Sequence, residues 1–300
     1  MIDFSDCRVI PTAYGGVSGK KLAIIYNNEQ YMLKFSDIAN HNPNISYSNS
    51  CYSEYLGCKI FETVNIPVQS VLLGMYKGKL VIACKDFRGF EDDLVDFAAI
   101  KNTTMHTGHN GAGTELNDII DTIFGQNIVN PFKMLERFWD TFIIDALIGN
   151  WDRHNGNWGV IYNRRMSKSR LAPVYDCGSC LFPQADENIM IDILANGELL
   201  NSKVYNQPLS TIKRNGKKIN YFYFISSLRN QECNEALKRI VPRIDLENIN
   251  SIIDDMPVSD LQKQFYKVIL KERKEKILDF SYNKLISTQS NQIRKMNIEV

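Results

Sequence analysis

The sequence predicts an α+β fold in two lobes, sheet-rich first and helical after. Three features of its patterning point there. Strand-like pairs joined by two-residue turns occupy roughly the first third of the chain. Apolar residues at helical spacing dominate from residue 132 onward. Between them, TTMHTGHNGAGT at 103–114 is rich in Gly and Thr and has no apolar period, as expected of a mobile loop. A sheet layer followed by a helical one leaves a cleft between lobes. The division is placed so that residues 1–87 form the amino-terminal lobe and 88–300 the carboxy-terminal lobe.

Residues 22–26 and 30–35 read as strands around an Asn27-Asn28 turn, and 69–87 as a second pair around Lys77-Gly78. A helix is expected over 51–64, with Cys51, Glu54, Cys58 and Phe61 on one stripe. In 132–147, Phe132, Leu135, Trp139, Phe142, Ile143, Ala146 and Leu147 fall at helical intervals. A strand follows at 158–162, then a turn NRRMSKSR and a strand LAPVY. Asp245 can cap a helix over 246–254, which Pro257 follows, and Ser259 can cap one over 261–285. From Thr288 on the chain is polar and is expected to fray.

Lysine plus arginine total 35 and aspartate plus glutamate 34, a net charge of +1, so no overall basic field exists to hold nucleic acid. No apolar run reaches the roughly 18 residues of a membrane span. The start, MIDFSDCRVIP, lacks the pattern of a secretory signal. Seven cysteines without framework spacing suit free thiols in a reducing compartment such as the bacterial cytoplasm.

The densest chemistry lies in LIGNWDRHNGNWGV at 147–160, directly after the strong helix, and in DCGSC at 176–180. Phosphoryl transfer needs a carboxylate to orient the acceptor hydroxyl and ligands to hold magnesium against the phosphates. Protein kinases place these in H-R-D-x-x-x-x-N and in a later D-F-G. Asp152 and Asn157 keep the first spacing, and Asp176-Cys177-Gly178 stands where the second would. Asp152 is therefore the candidate catalytic residue, and Asn157 and Asp176 the candidate magnesium ligands. Each alone could equally cap a turn; their order and their position after a long apolar helix favour the chemical reading. The fold class becomes a two-lobed, protein-kinase-like α+β fold.

These stretches resemble the HipA family of bacterial serine/threonine kinases, whose signature is a D-x-H-x-x-N loop followed by a Y-D-x-x-S segment. Here they are Asp152-Arg153-His154-Asn155-Gly156-Asn157 and Tyr175-Asp176-Cys177-Gly178-Ser179. ACKDF (83–87), LVDF (94–97), PQAD (183–186), KKINY (217–221) and PRID (242–245) extend the likeness to nearly the whole chain. The resemblance implies transfer from ATP with magnesium to a protein serine or threonine, autophosphorylation, and an antitoxin-like partner or translocation into a host cell. It also implies a structural role for His154. Many HipA proteins carry Lys where this chain has Gly156, and Arg153 is the candidate for the missing charge.

In the amino-terminal lobe, Met32 and Lys34 share one strand face and Tyr31, Leu33 and Phe35 the other. A lysine beside the cleft can pair with the α/β-phosphates of ATP and needs a helix glutamate to hold it. A carboxylate on an apolar stripe needs a partner, because unpaired burial is costly. Glu54 and Lys34 are so matched, with Lys85 the rival. Gly15, Gly16, Val17 and Ser18 precede the first long strand, and their N–H groups could approach phosphate. HipA-type kinases phosphorylate a serine in that loop, which makes Ser18 the candidate autophosphorylation site. Residues 83–87 resemble the hinge that meets adenine, with Cys84 and Asp86 as candidate contacts.

Cys177-x-x-Cys180 overlaps the candidate magnesium ligand Asp176 and has no second pair, which disfavours thiol-redox or zinc chemistry. His106 and His109 lack acidic or thiol neighbours and read as loop residues, and KERKEK (271–276) as a solvated helical face. Two other functions fit the same motifs: an ATP-holding pseudokinase or toxin scaffold, and a small-molecule phosphotransferase.

Overall fold

The computed structural model describes residues 1–12, 14, 21–36, 48–105 and 110–298, with side chains to residue 290. Gly15, Gly16, Val17 and Ser18 lie outside the described residues, as do His106 and His109.

Six strands form the first sheet: β1 (Ile2–Asp3), β2 (Arg8–Ile10), β3 (Lys21–Tyr26), β4 (Glu29–Phe35), β5 (Val71–Tyr76) and β6 (Lys79–Lys85). Their order is β1-β5-β6-β4-β3-β2, with β1 parallel to β5 and the other pairs antiparallel. Both expected hairpin turns are present. Asn27 and Asn28 have φ of 49° and 62°, Lys77 and Gly78 49° and 74°. Left-handed backbone at both central residues is what lets a two-residue turn follow strand twist.

Strand alternation splits the sheet. Ile24, Tyr31, Leu33, Val81 and Ala83 pack with Phe4 and Tyr76 in a cluster of their own. Ile82 and Cys84 on the opposite face join the main core with helix α1 (Ser50–Thr63). Lys34 stands on this second face, opposite Lys21 and Ile82 in register.

The remainder is helical around a three-stranded antiparallel sheet of β7 (Asp92–Asp96), β8 (Gly159–Asn163) and β9 (Lys168–Leu171). Helices α2 (Phe97–Met105) and α3 (Leu116–Gly125) precede the central α4 (Pro131–Ile148). Asn130 caps α4 by accepting from the Phe132 and Lys133 amides, and Pro131 suits the first turn. Every residue from Phe138 to Ile148 is buried, the mark of a helix with neighbours all round. Each large aliphatic side chain so buried contributes about 1.5–3 kcal/mol. Gly149, at φ 65°, stops α4 and turns the chain into the loop that carries Asp152.

Helices α5 (Glu187–Ala195), α6 (Gly197–Tyr205), α7 (Tyr221–Ser226), α8 (Gln231–Ile240), α9 (Leu246–Asp254), α10 (Asp260–Arg273) and α11 (Phe280–Ile298) complete the chain. A short hairpin, β10 (Lys213–Arg214) with β11 (Lys217–Lys218), lies between α6 and α7. One core runs from α1 through α4 to α10, so the lobes share apolar contacts.

Several elements differ from expectation. The strand expected over LAPVY is displaced into the supposed turn, as β9, and ends at Leu171. Pro173 has no N–H for a ladder, and Val174 makes only an isolated bridge to Val68. The helix expected over 261–285 is two α-helices joined by a π-helical stretch, Lys274–Asp279. Helix continues to Ile298 where fraying was expected. Residues 103–105, read as loop, are the last of α2.

Candidate active site

Lys34 lies near the end of β4, on the face that meets α1. Its ammonium donates to Glu54 Oε2 at 3.0 Å and to Asp176 Oδ1 at 2.9 Å. The expected Lys34–Glu54 pair is present. The rival Lys85 is instead half-exposed and paired with Glu29 at 3.0 Å. Burial acts to lower the Lys34 ammonium, but the charges of Asp176 and Glu54 outweigh it and hold it well above the usual lysine range. Lys34 in turn holds the Asp176 carboxyl below the usual aspartate range. Lys21, across from Lys34, is lowered by burial and then by the Lys34 charge. Ammonium groups crowded on one face favour an anionic neighbour.

Asp176 has φ 60°, a left-handed conformation that aspartate tolerates better than most residues. It turns the chain so that the next amide, Cys177 N–H, donates to Glu54 Oε1 at 3.0 Å. Helix α1 approaches this turn through Gly57. A Cβ there would sit 2.8 Å from Cys177 Cβ and 3.0 Å from Cys180 Sγ. Cys177 and Cys180 are wholly buried under α1, and the Cys180 thiol meets Ser53 O at 3.3 Å.

The 150–157 loop is built from its own polar groups. Asn150 Oδ1 accepts from the Asp152 amide at 3.0 Å, and Asn157 Nδ2 donates to Asp152 O at 2.8 Å. His154 Nδ1 accepts from the Gly156 amide at 3.0 Å, the structural role the family likeness implied. A Cβ on Gly156 would come within 3.0 Å of that imidazole, so a side chain there would crowd the ring. Asp152 is half-buried. Burial raises its carboxyl above the usual range, His154 opposes the shift and Asp176 adds to it.

Arg153 does not supply the charge expected of it. Its guanidinium is buried and donates to Asp145 Oδ2 at 3.1 Å, to Asn157 O at 3.2 Å and, in a short contact, to Tyr175 O. It therefore ties the Asp152 loop to the Asp176 turn from beneath. Asp145, the partner of Arg153, was missed as a site residue. The signal was present: Asp145 interrupts the apolar run of α4 and so demands a buried partner. Tyr221, whose hydroxyl donates to Asn150 O at 2.5 Å, and Asn155, which donates to Gly111 O and Gly113 O, carried no such signal.

Cys84 and Asp86 stand at and just beyond the end of β6. The Cys84 thiol is buried and raised by that burial, so only its backbone could meet a ligand. The Asp86 carboxylate is committed to Arg88, Gln30 and Tyr14, and its amide donates to Gln30 O at 2.8 Å. Neither the Asp86 carboxylate nor its amide is therefore left open to a ligand.

The donor chemistry fits magnesium. Asp176, 42% exposed at its side chain, offers a carboxylate and Asn157 an amide oxygen, both hard ligands. No cluster of three or more acidic, histidine or cysteine side chains suited to a metal occurs among the described residues. A two-ligand set is the usual protein share for magnesium carried with phosphates.

Residues 12–248 match the family model described as HipA-like C-terminal domain. The chain is 44% identical over 288 residues to the serine/threonine-protein kinase CtkA of Helicobacter pylori, covering 95% of this chain and 89% of that one. The crystal structure of the H. pylori proinflammatory kinase CtkA superposes with a TM-score of 0.92 at 43% identity, covering 96% and 98%. HipA of Shewanella oneidensis, solved with HipB and operator DNA, gives a TM-score of 0.57 at 15% identity over 89% of this chain and 66% of that one, a likeness of fold alone. The chain belongs to the HipA-like family and is a kinase of that family.

Proposed function

We propose that this protein is an ATP- and magnesium-dependent serine/threonine protein kinase that also phosphorylates itself. The observation that supports it best is the junction at Lys34, where one ammonium meets Glu54 and Asp176, 20 and 142 residues away in sequence. In this reading Lys34 contacts the α/β-phosphates and Glu54 fixes its position. Asp176 and Asn157 hold magnesium, which when bound offsets the phosphate charge. Asp152 orients the acceptor hydroxyl and takes its proton late in transfer. The upward shift of its carboxyl makes it a better base.

The lobe division after residue 87, the phosphate loop at Gly15, Gly16, Val17 and Ser18, the backbone hinge at Cys84 and Asp86, and Ser18 as modification site belong to the same proposal. So do an antitoxin-like partner and action in the bacterial cytoplasm or in a host cell. Among the described residues no helix is long and apolar enough to cross a membrane.

The test is transfer from labelled ATP beside calorimetric nucleotide binding with and without magnesium. Asp152→Asn should lower transfer by on the order of 10²-fold or more and keep magnesium-dependent binding. Asp176→Asn should lose both, and Lys34→Ala should weaken binding. Full transfer by Asp152→Asn would overturn the reading; nucleotide binding by wild type without transfer would leave a pseudokinase.

A further inference from the structure

The β10–β11 hairpin exposes four cations: Lys213, Arg214, Lys217 and Lys218. Asn215 and Gly216 form its turn, at φ 54° and 75°. The register sets Lys213 across from Lys218 and Arg214 across from Lys217. Like charges directly opposite each other work against strand pairing. Here both rungs of the ladder are of that kind. None of the four is ion-paired among the described residues. The adjacent acid, Glu115, faces the Gly216 amide, at 3.1 Å from Oε2 and 3.4 Å from Oε1.

The hairpin is anchored to the Asp152 loop from two sides. On one, the Lys213 amide donates to Thr114 O at 2.8 Å, and the neighbouring Gly113 O accepts from Asn155 Nδ2 at 2.9 Å. On the other, Ile219 closes the hairpin base by donating to Ile212 O at 2.8 Å, and Tyr221 donates to Asn150 O. Lys218 is near enough to Asp152 for its charge to act on that carboxyl. Cations forced together and fixed beside the catalytic loop are suited to an anionic partner that arrives with the acceptor.

We propose that the β10–β11 hairpin docks the protein substrate and selects an acidic segment flanking its serine or threonine. The proposal rests on the kinase reading above. A protein segment is favoured over nucleic acid because the chain's net charge is only +1 and the hairpin is anchored to the loop that, in this reading, meets the acceptor.

Two peptides decide it: one serine flanked by aspartates, and the same peptide with asparagines instead. Wild type should phosphorylate the aspartate peptide at about tenfold lower KM, since several exposed charge pairs contribute modestly each. Added salt should shrink the difference. Lys217→Glu combined with Lys218→Glu should reverse the ranking, and Lys217→Gln with Lys218→Gln should level it. Fluorescence anisotropy of both labelled peptides on Asp152→Asn protein reads docking without transfer. If neither the peptides nor the protein itself take phosphate from labelled ATP, the transfer reading fails, and anisotropy still judges the hairpin. Equal affinity for the two peptides, or a preference that survives charge reversal, overturns the docking proposal. Displacement of the aspartate peptide by single-stranded RNA of equal charge, with equal effectiveness, overturns it in favour of a general polyanion site.

Discussion

Glu54 and Cys177 are joined by a hydrogen bond of 3.0 Å from the Cys177 backbone N–H to Glu54 Oε1. The other oxygen of that carboxylate accepts from Lys34 at 3.0 Å. One buried acid on α1 therefore sets both the Lys34 ammonium and the turn after Asp176. Removing it disturbs both at once. Glu54→Ala leaves the Cys177 amide unpaired and should destabilise the protein by about 3 kcal/mol, the scale for breaking a buried pair. Transfer should fall by on the order of 10²-fold, as expected for small misplacements of reacting groups. Glu54→Gln, which can still accept from Cys177, should recover much of the stability and little of the transfer. Urea unfolding beside a labelled-phosphate assay separates the two effects.

Asp152 carries a cost at neutral pH. Burial raises its carboxyl, with His154 opposing and Asp176 adding. A carboxyl raised by folding favours the folded state while protonated, and that contribution is lost as pH rises through its folded value. Asp152→Asn should therefore melt above wild type at neutral pH, while transfer is lost. The gap should narrow as pH falls through the raised folded value and close below the ordinary aspartate range, where Asp152 is protonated both folded and unfolded. Scanning calorimetry across that range checks it; a neutral-pH melt below wild type would refute the assignment of a raised carboxyl.

Arg153 should act on stability and geometry together. Burial opposes its charge, but Asp145 holds the guanidinium well above its usual range. Arg153→Ala strands Asp145 in the core and should cost about 3–5 kcal/mol. Arg153→Lys can keep the Asp145 pair but not the forked contacts to the Asn157 and Tyr175 carbonyls. Its loss should be about 1–3 kcal/mol, the cost of unsatisfied buried groups, with a larger proportional fall in transfer. Denaturant midpoints and single-turnover rates measured on both variants give the comparison.

Gly57 sits inside a helix, where alanine would ordinarily gain about 1 kcal/mol of propensity. Here the added methyl would meet Cys177 Cβ at 2.8 Å and Cys180 Sγ at 3.0 Å. Overpacking of this kind costs about 1–3 kcal/mol, so Gly57→Ala should be destabilising on balance. It should also lower transfer by displacing the Asp176 turn. A net gain in melting temperature would mean that α1 can move off the turn without penalty.

Local chemistry was legible where it left a local mark. The Asn27-Asn28 and Lys77-Gly78 turns, the 132–147 helix and the Asp245 and Ser259 caps all depend on residues close in sequence. The Lys34–Glu54 pair was legible because a carboxylate on an apolar stripe requires a cation. The short helices α2, α3 and α5 to α8 were not read, since brief helices owe their stability to packing more than to propensity. The strand β9 was misplaced because its pairing with β8 is a tertiary choice, and its residues KSRL lack strand character.

The sequence by itself determined the class of fold, the loop with Asp152 and Asn157, the Asp176 turn and the identity of the buried lysine–glutamate pair. These follow from residue type, spacing and the cost of burying charge. Only the tertiary structure decided that Lys34 also meets Asp176, that Arg153 reaches across to the Tyr175 carbonyl, and that a basic hairpin is anchored to the Asp152 loop. Each of these joins groups far apart in the chain through hydrogen bonds whose partners are backbone atoms or buried charges. Backbone groups look alike at every position in a sequence, and a charge does not announce which of several partners the packing of α1, α4 and two loops will bring within 3 Å.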